Sequence, residues 1–233
     1  NWNGTPEIDS SYRHWAHDIL PHWSDHSWDN LEGFPGGDNI GANYYPEIGT
    51  YSCNDPEVVR KHMEQIRSAG IGTVVLSWWG VNSFEDLTTP LFLDIANEFG
   101  LKIAFHIEPY KDRTAQNTAE SIVYIIDTYG AHPAFYRTWE SVPVFYIYDS
   151  YLIPAEDWWE VTENEGKYTL WDNVHNALLL GLWVDEEDTT ELAAASFDGA
   201  YTYFASDGFT YGSTSSNWAN MQRWCDAKGI IFT

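Results

Sequence analysis

The feature that most constrains this sequence is a repeated pairing of short apolar runs with capped helical segments, from about residue 54 onward. The runs are continuously apolar and do not alternate with polar residues, which is typical of strands buried on both faces. They predict strands near 73–78, 101–107, 142–148, 177–183, 199–204 and 230–232. This order of elements predicts a parallel sheet with helices on its outer face.

Helix boundaries are marked by residues with capping chemistry. Asp55 is placed to cap a helix that begins at Pro56, and Gly70 follows its end. In the next helix, Thr89 is the expected cap and Pro90 the expected first residue. Strands and helices in this alternation fit a (β/α)8 TIM barrel better than a doubly wound sheet, and no glycine-rich phosphate loop occurs. We therefore expect an α/β fold, an incomplete barrel of about six parallel strands.

Composition narrows the class of protein. A net charge of −24, with only 11 lysines and arginines, disfavours nucleic acid and anionic membrane surfaces as partners. The longest apolar stretch (177–184) is too short to span a bilayer. The 13 tryptophans and 15 tyrosines are compatible with a carbohydrate site, although such rings also fill cores. No linker or low-complexity tract interrupts the chain, so residues 1–233 are expected to form one domain.

Cysteine and glycosylation signals are few. The chain has two cysteines, Cys53 and Cys225, and the second shares a helical face with Trp218 and Met221. A buried free thiol is the favoured interpretation, and a single disulfide is the alternative. Asn3 begins an Asn-Gly-Thr triplet, which would be glycosylated in a secretory compartment but also arises by chance.

Candidate site residues lie where the predicted strands end. In parallel barrels the chemistry is carried by the carboxyl ends of the strands. Those ends carry Trp79, His106, Glu108, Asp149 and Tyr203. Each also has a plainer interpretation, because a tryptophan can fill the core and a carboxylate can simply be solvated in a loop. Their convergence from separate strands favours a site.

Two groups of residues superficially suggest metal binding. Four histidines lie close together near the start of the chain: His14, His17, His22 and His26. Pro21 interrupts them and no cysteine accompanies them, so loop histidines that form hydrogen bonds are the better interpretation. The acidic run at residues 185–188 lacks the alternating spacing and turn glycine of a calcium loop. We expect no metal and no cofactor.

Several long motifs resemble one known family. They are "YYPEIGTYSCNDP" (44–56), "SWWG" (77–80), "FHIEPY" (105–110), "YGAHPAFYR" (129–137), "FYIYDSY" (145–151) and "GAYTYFASDGFTYGS" (199–213). Together they resemble the endo-α-1,2-mannosidase family, glycoside hydrolase family ninety-nine. The resemblance implies a (β/α)8 barrel that cleaves within α-mannosides with retention and without a metal. It further implies that one carboxylate deprotonates the sugar 2-hydroxyl, which acts as the nucleophile, while another protonates the leaving oxygen.

The resemblance also assigns roles to individual residues. Trp79 would be a platform for the sugar beside the cleavage point, and a tryptophan there hints at mannose over glucose. Glu108, flanked by His106 and Tyr110, would bind sugar hydroxyls. The other expected substrate-binding residues are Tyr45, Glu47, Asp149 and Tyr203.

The sequence departs from the family at the catalytic glutamates. These belong to an "EWHEG"-type motif at the last barrel strand, and no such motif occurs here. A first strand ahead of "NWNGTP" is also missing, so we expect the chain to be part of a longer polypeptide, with the glutamate pair beyond Thr233. The chain alone is then expected to be inactive, with no catalytic residue of its own.

Two functions remain open. The first is an endo-acting α-mannosidase domain that acts on α-1,2-mannosidic linkages of mannose-containing glycans, in the secretory pathway (Golgi) or outside the cell. The second is a non-catalytic carbohydrate-binding or structural module of a larger extracellular assembly. An EWHE-like stretch about a hundred residues after Thr233 would favour the enzyme, and its absence would favour the module.

Overall fold

The computed structural model describes Thr5, Ile8, Asp9, Trp15 and residues 46–233. Within these residues helices and strands alternate along the chain. The helices are α1 (Pro56–Ser68), α2 (Phe84–Glu98), α3 (Ala115–Tyr129), α4 (Ala155–Thr162), α5 (Asp188–Ala194) and α6 (Trp218–Lys228). The strands are β1 (Thr73–Trp78), β2 (Lys102–Ile107), β3 (Val144–Ile147), β4 (Leu178–Leu182), β5 (Gly199–Tyr201) and β6 (Ile231–Phe232).

The described strands form one parallel sheet in the order β1-β2-β3-β4-β5-β6. Every neighbouring pair is parallel. The predicted parallel sheet with intervening helices is therefore confirmed. β1 has the predicted bounds, while β2 to β6 are shorter than predicted, most clearly β5, which ends at Tyr201.

The described residues form two compact units. One contains the described residues up to Gly72 together with Leu87–Leu101, and the other contains Thr73–Asp86 and Lys102–Thr233. In the first unit, Asp55 caps α1 and Pro56 begins it, as predicted. All strands of the described sheet belong to the second unit. The prediction of a single domain over residues 1–233 stays a prediction.

One face of the sheet packs against helices of the second unit. Phe105 of β2 stacks near Tyr129 of α3 and Phe145 of β3, with ring centroids 6.2 Å apart in both pairs. On the same face, a Cβ at Gly181 would lie 2.6 Å from the Leu192 side chain of α5. Glycine at this position therefore lets α5 pack on the strand without displacing the Leu192 side chain.

The opposite face carries the alternate residues of each strand, because strand side chains alternate with a period of two. Val144, Leu180, Leu182 and Tyr201 form a buried cluster on this face. Tyr146 packs against the same cluster. This inner face therefore combines a buried apolar layer with tyrosine hydroxyls.

The predicted start of α2 was wrong. The helix begins directly after Ser83, whose hydroxyl accepts from the Asp86 N–H at 3.1 Å. Thr89 does not cap it, and Pro90 lies inside it. Because Pro90 has no N–H, the carbonyl of Asp86 four residues earlier lacks its helical donor. The Tyr129 hydroxyl lies 3.0 Å from this carbonyl and 2.7 Å from Asp86 Oδ1, so its single hydrogen is shared between the two acceptors and partly replaces the missing bond.

The Asp86 carboxylate is buried and accepts several hydrogen bonds. Its Oδ1 accepts from Tyr129 Oη at 2.7 Å and from Trp78 Nε1 at 3.3 Å. Its Oδ2 accepts from the Asn82 N–H at 2.7 Å and from Tyr124 Oη at 3.0 Å. Burial raises the pKa of Tyr129 most, and the bond to Asp86 adds to the shift, so this hydroxyl stays a donor. The end of β1 and the start of α2 are thereby joined to α3.

Both cysteines are buried and they do not form a disulfide with each other, which confirms the favoured interpretation of Cys225. Cys225 and Met221 of α6 are fully buried, whereas Trp218, expected on the same buried face, is 45 % exposed. The Trp218 indole instead donates to the carbonyl of Gly212 at 2.8 Å. No helix in the described part of the chain is long and apolar enough to cross a membrane.

We expect Asp86→Ala to lower the free energy of unfolding by about 3 kcal/mol or more, because buried donors lose their only strong acceptor. Denaturant unfolding measures the change. The control is Glu64→Ala on the exposed side of α1, which should change stability by less than about 0.5 kcal/mol. Equal, small effects of the two substitutions would contradict the structural role of Asp86.

Candidate functional site

A histidine and a glutamate meet at the carboxyl end of β2. His106 is the penultimate residue of the strand, and Glu108 follows two positions later, on the same side. His106 Nδ1 lies 2.8 Å from Glu108 Oε1. The exposed fractions are 5 % for His106 and 6 % for Glu108, so the pair is held away from water. Among the described residues, His106 is the only hydrogen-bond partner of the Glu108 carboxylate.

A tyrosine from another strand completes this pair. Tyr201 ends β5, and its hydroxyl lies 2.8 Å from His106 Nε2. β2 and β5 are three positions apart in the sheet, which in a flat sheet would separate parallel side chains by about 14 Å. The sheet therefore curves around its inner face. Burial raises the pKa of Tyr201, with the charge of Glu108 as the next cause, so this hydroxyl keeps its proton.

Aromatic rings surround the histidine. Tyr203 stacks on the His106 ring with centroids 5.2 Å apart and planes 15° apart. Tyr148, after β3, is tilted against His106 at 5.1 Å and lies edge-on to Tyr203 at 4.9 Å. Tyr203 is 53 % exposed, so much of its surface is open to a ligand. The arrangement places a flat apolar surface beside a buried carboxylate.

A cavity of about 330 Å³ opens on the inner face of the sheet. This volume lies in the range typical of small-ligand pockets. The residues that line it come from β1, β2, β3 and β5 and from positions directly after β5 and β6: Val75, Ser77, His106, Tyr146, Tyr201, Thr202, Tyr203 and Thr233. Most of them carry a hydroxyl or an imidazole, while the surface that they present is mainly apolar, so the cavity suits a ligand with both apolar faces and hydroxyls.

An arginine connects the ends of β2 and β3 next to the site. Arg113 donates to the carbonyls of Tyr148 at 2.6 Å, Asp149 at 2.8 Å and Ile107 at 3.3 Å. These carbonyls belong to the ends of β2 and β3, so the planar guanidinium holds the two strand ends together. Burial lowers the pKa of Arg113, and the negative charge of Glu108 is among the influences that oppose this shift.

Other predicted residues of the second unit lie at the same end of the sheet, in different settings. Trp79 directly follows β1 and is 41 % exposed. The Tyr110 hydroxyl donates to Asn117 Oδ1 at 3.1 Å and so faces α3. Asp149 has a positive φ of 47°, and its Oδ1 accepts from the Tyr151 hydroxyl at 2.8 Å. His106, Glu108 and Tyr203 thus meet directly, whereas Tyr110 and Asp149 are engaged by neighbouring side chains.

The remaining predictions fall elsewhere. Glu47 is exposed and belongs to the first unit. Tyr45, the glycosylation candidate Asn3 and the four early histidines lie outside the described residues. In the described part of the chain, no group of three or more His, Cys, Asp or Glu residues is arranged to hold a metal ion. At the acidic run, Asp188 Oδ2 accepts the N–H groups of Val184 and Asp185, both at 2.8 Å.

Sequence reasoning missed Tyr201 and Arg113. Tyr201 sits two residues before Tyr203, and period-two alternation puts both on one face of a strand, so the signal was present. For Arg113, the available signal was that basic residues are few in this acidic chain and that this one lies close after "HIEPY". Its carbonyl partners depend on how β2 and β3 pair, which no local pattern specifies.

Tyr148 offers a pH test of the buried site. Burial first, and the charge of Asp149 second, raise the pKa of Tyr148 to about 12. An unfolded tyrosine has a pKa of about 10. Its contribution to stability is therefore fully present below about pH 10 and is lost as the pH rises toward about 12. We expect Tyr148→Phe to make the alkaline fall in the free energy of unfolding shallower, and an unchanged slope would contradict this.

Comparison with known proteins agrees with this geometry. The sequence model of glycosyl hydrolase family 99 matches residues 1–233. A glycoprotein endo-alpha-1,2-mannosidase of Mus musculus is 41 % identical over 247 residues, covering 100 % of this chain and 53 % of the mouse protein. A glycoprotein endo-alpha-1,2-mannosidase-like protein of Danio rerio is 43 % identical over 247 residues, covering 99 % of this chain and 55 % of the fish protein. The chain thus spans about half the length of these relatives.

A solved structure extends the match to three dimensions. The family 99 endo-alpha-mannosidase from Bacteroides thetaiotaomicron superposes with a TM-score of 0.89 at 42 % identity. The match covers 100 % of this chain and 67 % of that chain. The parallel sheet described above is accordingly part of a (β/α)8 barrel. Because the family model covers the whole sequence and a solved member shares its fold, the chain belongs to glycosyl hydrolase family 99.

Proposed function

We propose that this chain supplies the substrate-binding part of an endo-acting α-mannosidase that cleaves α-1,2-mannosidic linkages with retention. The observation that carries the proposal is the buried Glu108 carboxylate at the carboxyl end of β2. One of its oxygens, Oε1, is paired with His106. The other oxygen, Oε2, is left to accept a hydroxyl hydrogen from the substrate. A charge-assisted bond of this kind is stronger than one between neutral groups.

Exposed rings beside this carboxylate suit a sugar. Trp79 is 41 % exposed and Tyr203 is 53 % exposed, at strand ends of the same sheet. Flat rings pack against the C–H face of a pyranose, while hydroxyls at the sugar edge reach polar groups. Together with Glu108, the rings would bind a mannose-containing oligosaccharide or glycan. Tyr45, Glu47, Tyr110 and Asp149 remain proposed substrate-binding residues on the strength of the family motifs alone.

The chemical step needs more than Glu108. Two-carboxylate glycoside hydrolysis requires one group to act as a base and another to act as an acid on the leaving oxygen. Glu108 is hydrogen-bonded to His106, and Asp149 is hydrogen-bonded to Tyr151. The two carboxylates are therefore not arranged as a catalytic acid and base. The "EWHEG"-type glutamates that the family motif would supply do not occur in this sequence. We therefore assign this chain a binding role and no catalytic residue.

The alternative function is a non-catalytic carbohydrate-binding or structural module of a larger extracellular assembly. The relatives of mouse and zebrafish are named as glycoprotein mannosidases, which supports the enzyme and a place in the secretory pathway (Golgi) or outside the cell. Both functions predict sugar binding. Only the first predicts turnover when the catalytic glutamates are supplied.

We expect the protein to bind α-linked mannose oligosaccharides with a dissociation constant between about 1 μM and 1 mM. Trp79→Ala and Glu108→Gln should each weaken binding about fivefold or more, because each removes about 1 kcal/mol or more of stacking or hydrogen bonding. NMR titration measures both. Trp139→Ala is a matched control, since Trp139 is 91 % exposed and precedes β3, at the opposite end of the strand from the site. Equal affinity in all four proteins would place the sugar site elsewhere.

We expect the 233-residue chain, assayed by itself, not to hydrolyse an activated mannobiosyl fluoride. The reason is that neither carboxylate at the strand ends is a free acid or base. Fluoride release measures the rate. Turnover comparable to that of an intact family member would show that a catalytic pair exists among the residues of this chain.

A further inference from the structure

We propose that Tyr201 is a positioning residue, whose hydroxyl holds the His106 ring and thereby holds Glu108 with one oxygen turned to the substrate. Three groups form a line: Tyr201 Oη, the two nitrogens of His106, and Glu108 Oε1, with 2.8 Å at each contact. The exposed fractions of the three residues are 4–6 %, so the contacts are shielded from bulk solvent, while His106 and Tyr201 also line the cavity. The consequence for substrate rests on the proposed role of Glu108, whereas the hydrogen bond to His106 does not.

The hydrogens available to the three side chains determine which atom donates in each of the two hydrogen bonds. An ionised carboxylate only accepts, so the hydrogen between His106 and Glu108 belongs to Nδ1. In a neutral imidazole Nε2 is then an acceptor, and the Tyr201 hydroxyl donates to it. In the imidazolium form, Nε2 would donate to Tyr201, and the hydroxyl hydrogen would need another acceptor. Within the described residues, the Tyr201 hydroxyl has no hydrogen-bond partner besides His106.

The Tyr201 ring is itself fixed. It lies edge-on to Tyr146 with centroids 5.1 Å apart, and it belongs to the buried cluster with Leu180 and Leu182. Replacing tyrosine by phenylalanine keeps this packing and removes only the O–H donor. His106 would keep its Nδ1–H bond to Glu108, because that bond is made to a charged acceptor, but Nε2 would lose its donor. The ring is then free to turn or to bind a second proton, and in either case the placement of Glu108 for substrate is disturbed.

The test is the tautomer of His106, measured from the nitrogen chemical shifts of ¹⁵N-histidine-labelled protein and assigned by the loss of signals in His106→Asn. The wild type is expected to show hydrogen on Nδ1 alone. Tyr201→Phe should displace the Nε2 signal, either toward that of an imidazole nitrogen without a hydrogen-bond donor or toward that of an imidazolium. An unchanged Nε2 signal in this variant would contradict the proposal. Tyr146→Phe is the control, because it removes a hydroxyl from the same cavity and leaves the Tyr201 bond intact, so it should match the wild type. A wild-type imidazolium, or hydrogen on Nε2, overturns the proposal whether or not any variant folds.

Affinity for an α-linked mannobiose gives the second readout. Losing one hydrogen bond of about 1 kcal/mol predicts about fivefold weaker binding by Tyr201→Phe. A Tyr201→Phe protein with a displaced Nε2 signal and unchanged affinity would overturn the positioning role. A wild type that shows the Nδ1–H tautomer but binds no mannoside would instead refute the proposed function, so the two failures are distinguishable.

Discussion

The hydrogen bond between His106 of β2 and Tyr201 of β5 joins strands that are three positions apart in a parallel sheet. It can form only because the sheet curves, and curvature brings the inner-face residues of four strands together. Leu180 and Leu182 pack with Tyr201 in one buried cluster, which fixes the position of its ring. The geometry of Glu108 therefore depends on the barrel as a whole, since a local change in strand pairing at β5 would move the donor that orients His106.

Two buried carboxylates show how structural and functional charges differ in this chain. Asp86 accepts hydrogen bonds on both oxygens from side chains and backbone, which satisfies a charge that would otherwise be costly to bury. Glu108 is buried to a similar degree but has one partner among the described residues. A buried anion left short of donors destabilises the free protein. The destabilisation is offset when a ligand supplies the missing donor. The number of hydrogen-bond donors therefore distinguishes Asp86 from Glu108 more clearly than their burial does.

Much of the fold was predictable because local sequence patterns determine where its strands and helices lie. Continuous apolar runs gave the strands, and Asp55 with Pro56 gave the start of α1. Thr89-Pro90 misled because the same two residues that begin a helix also occur inside α2, where a tyrosine hydroxyl from α3 partly replaces the lost backbone donor. The site was predictable only as a set of strand ends. Its partners depend on register and curvature, which is why His106 and Glu108 were found from the sequence and their link to Tyr201 was not.

Arg113 shows why a strongly acidic chain can still bury a carboxylate near its proposed sugar site. The chain has 11 lysines and arginines against 35 aspartates and glutamates, so few positive charges are available to balance a buried carboxylate. Arg113 makes no ion pair with Glu108. It donates to backbone carbonyls instead, which fixes the strand ends and leaves its charge to act through space. A lysine lacks the planar fork needed for several carbonyls at once. One guanidinium thus sets both the position of the strand ends and the electrostatic balance around Glu108.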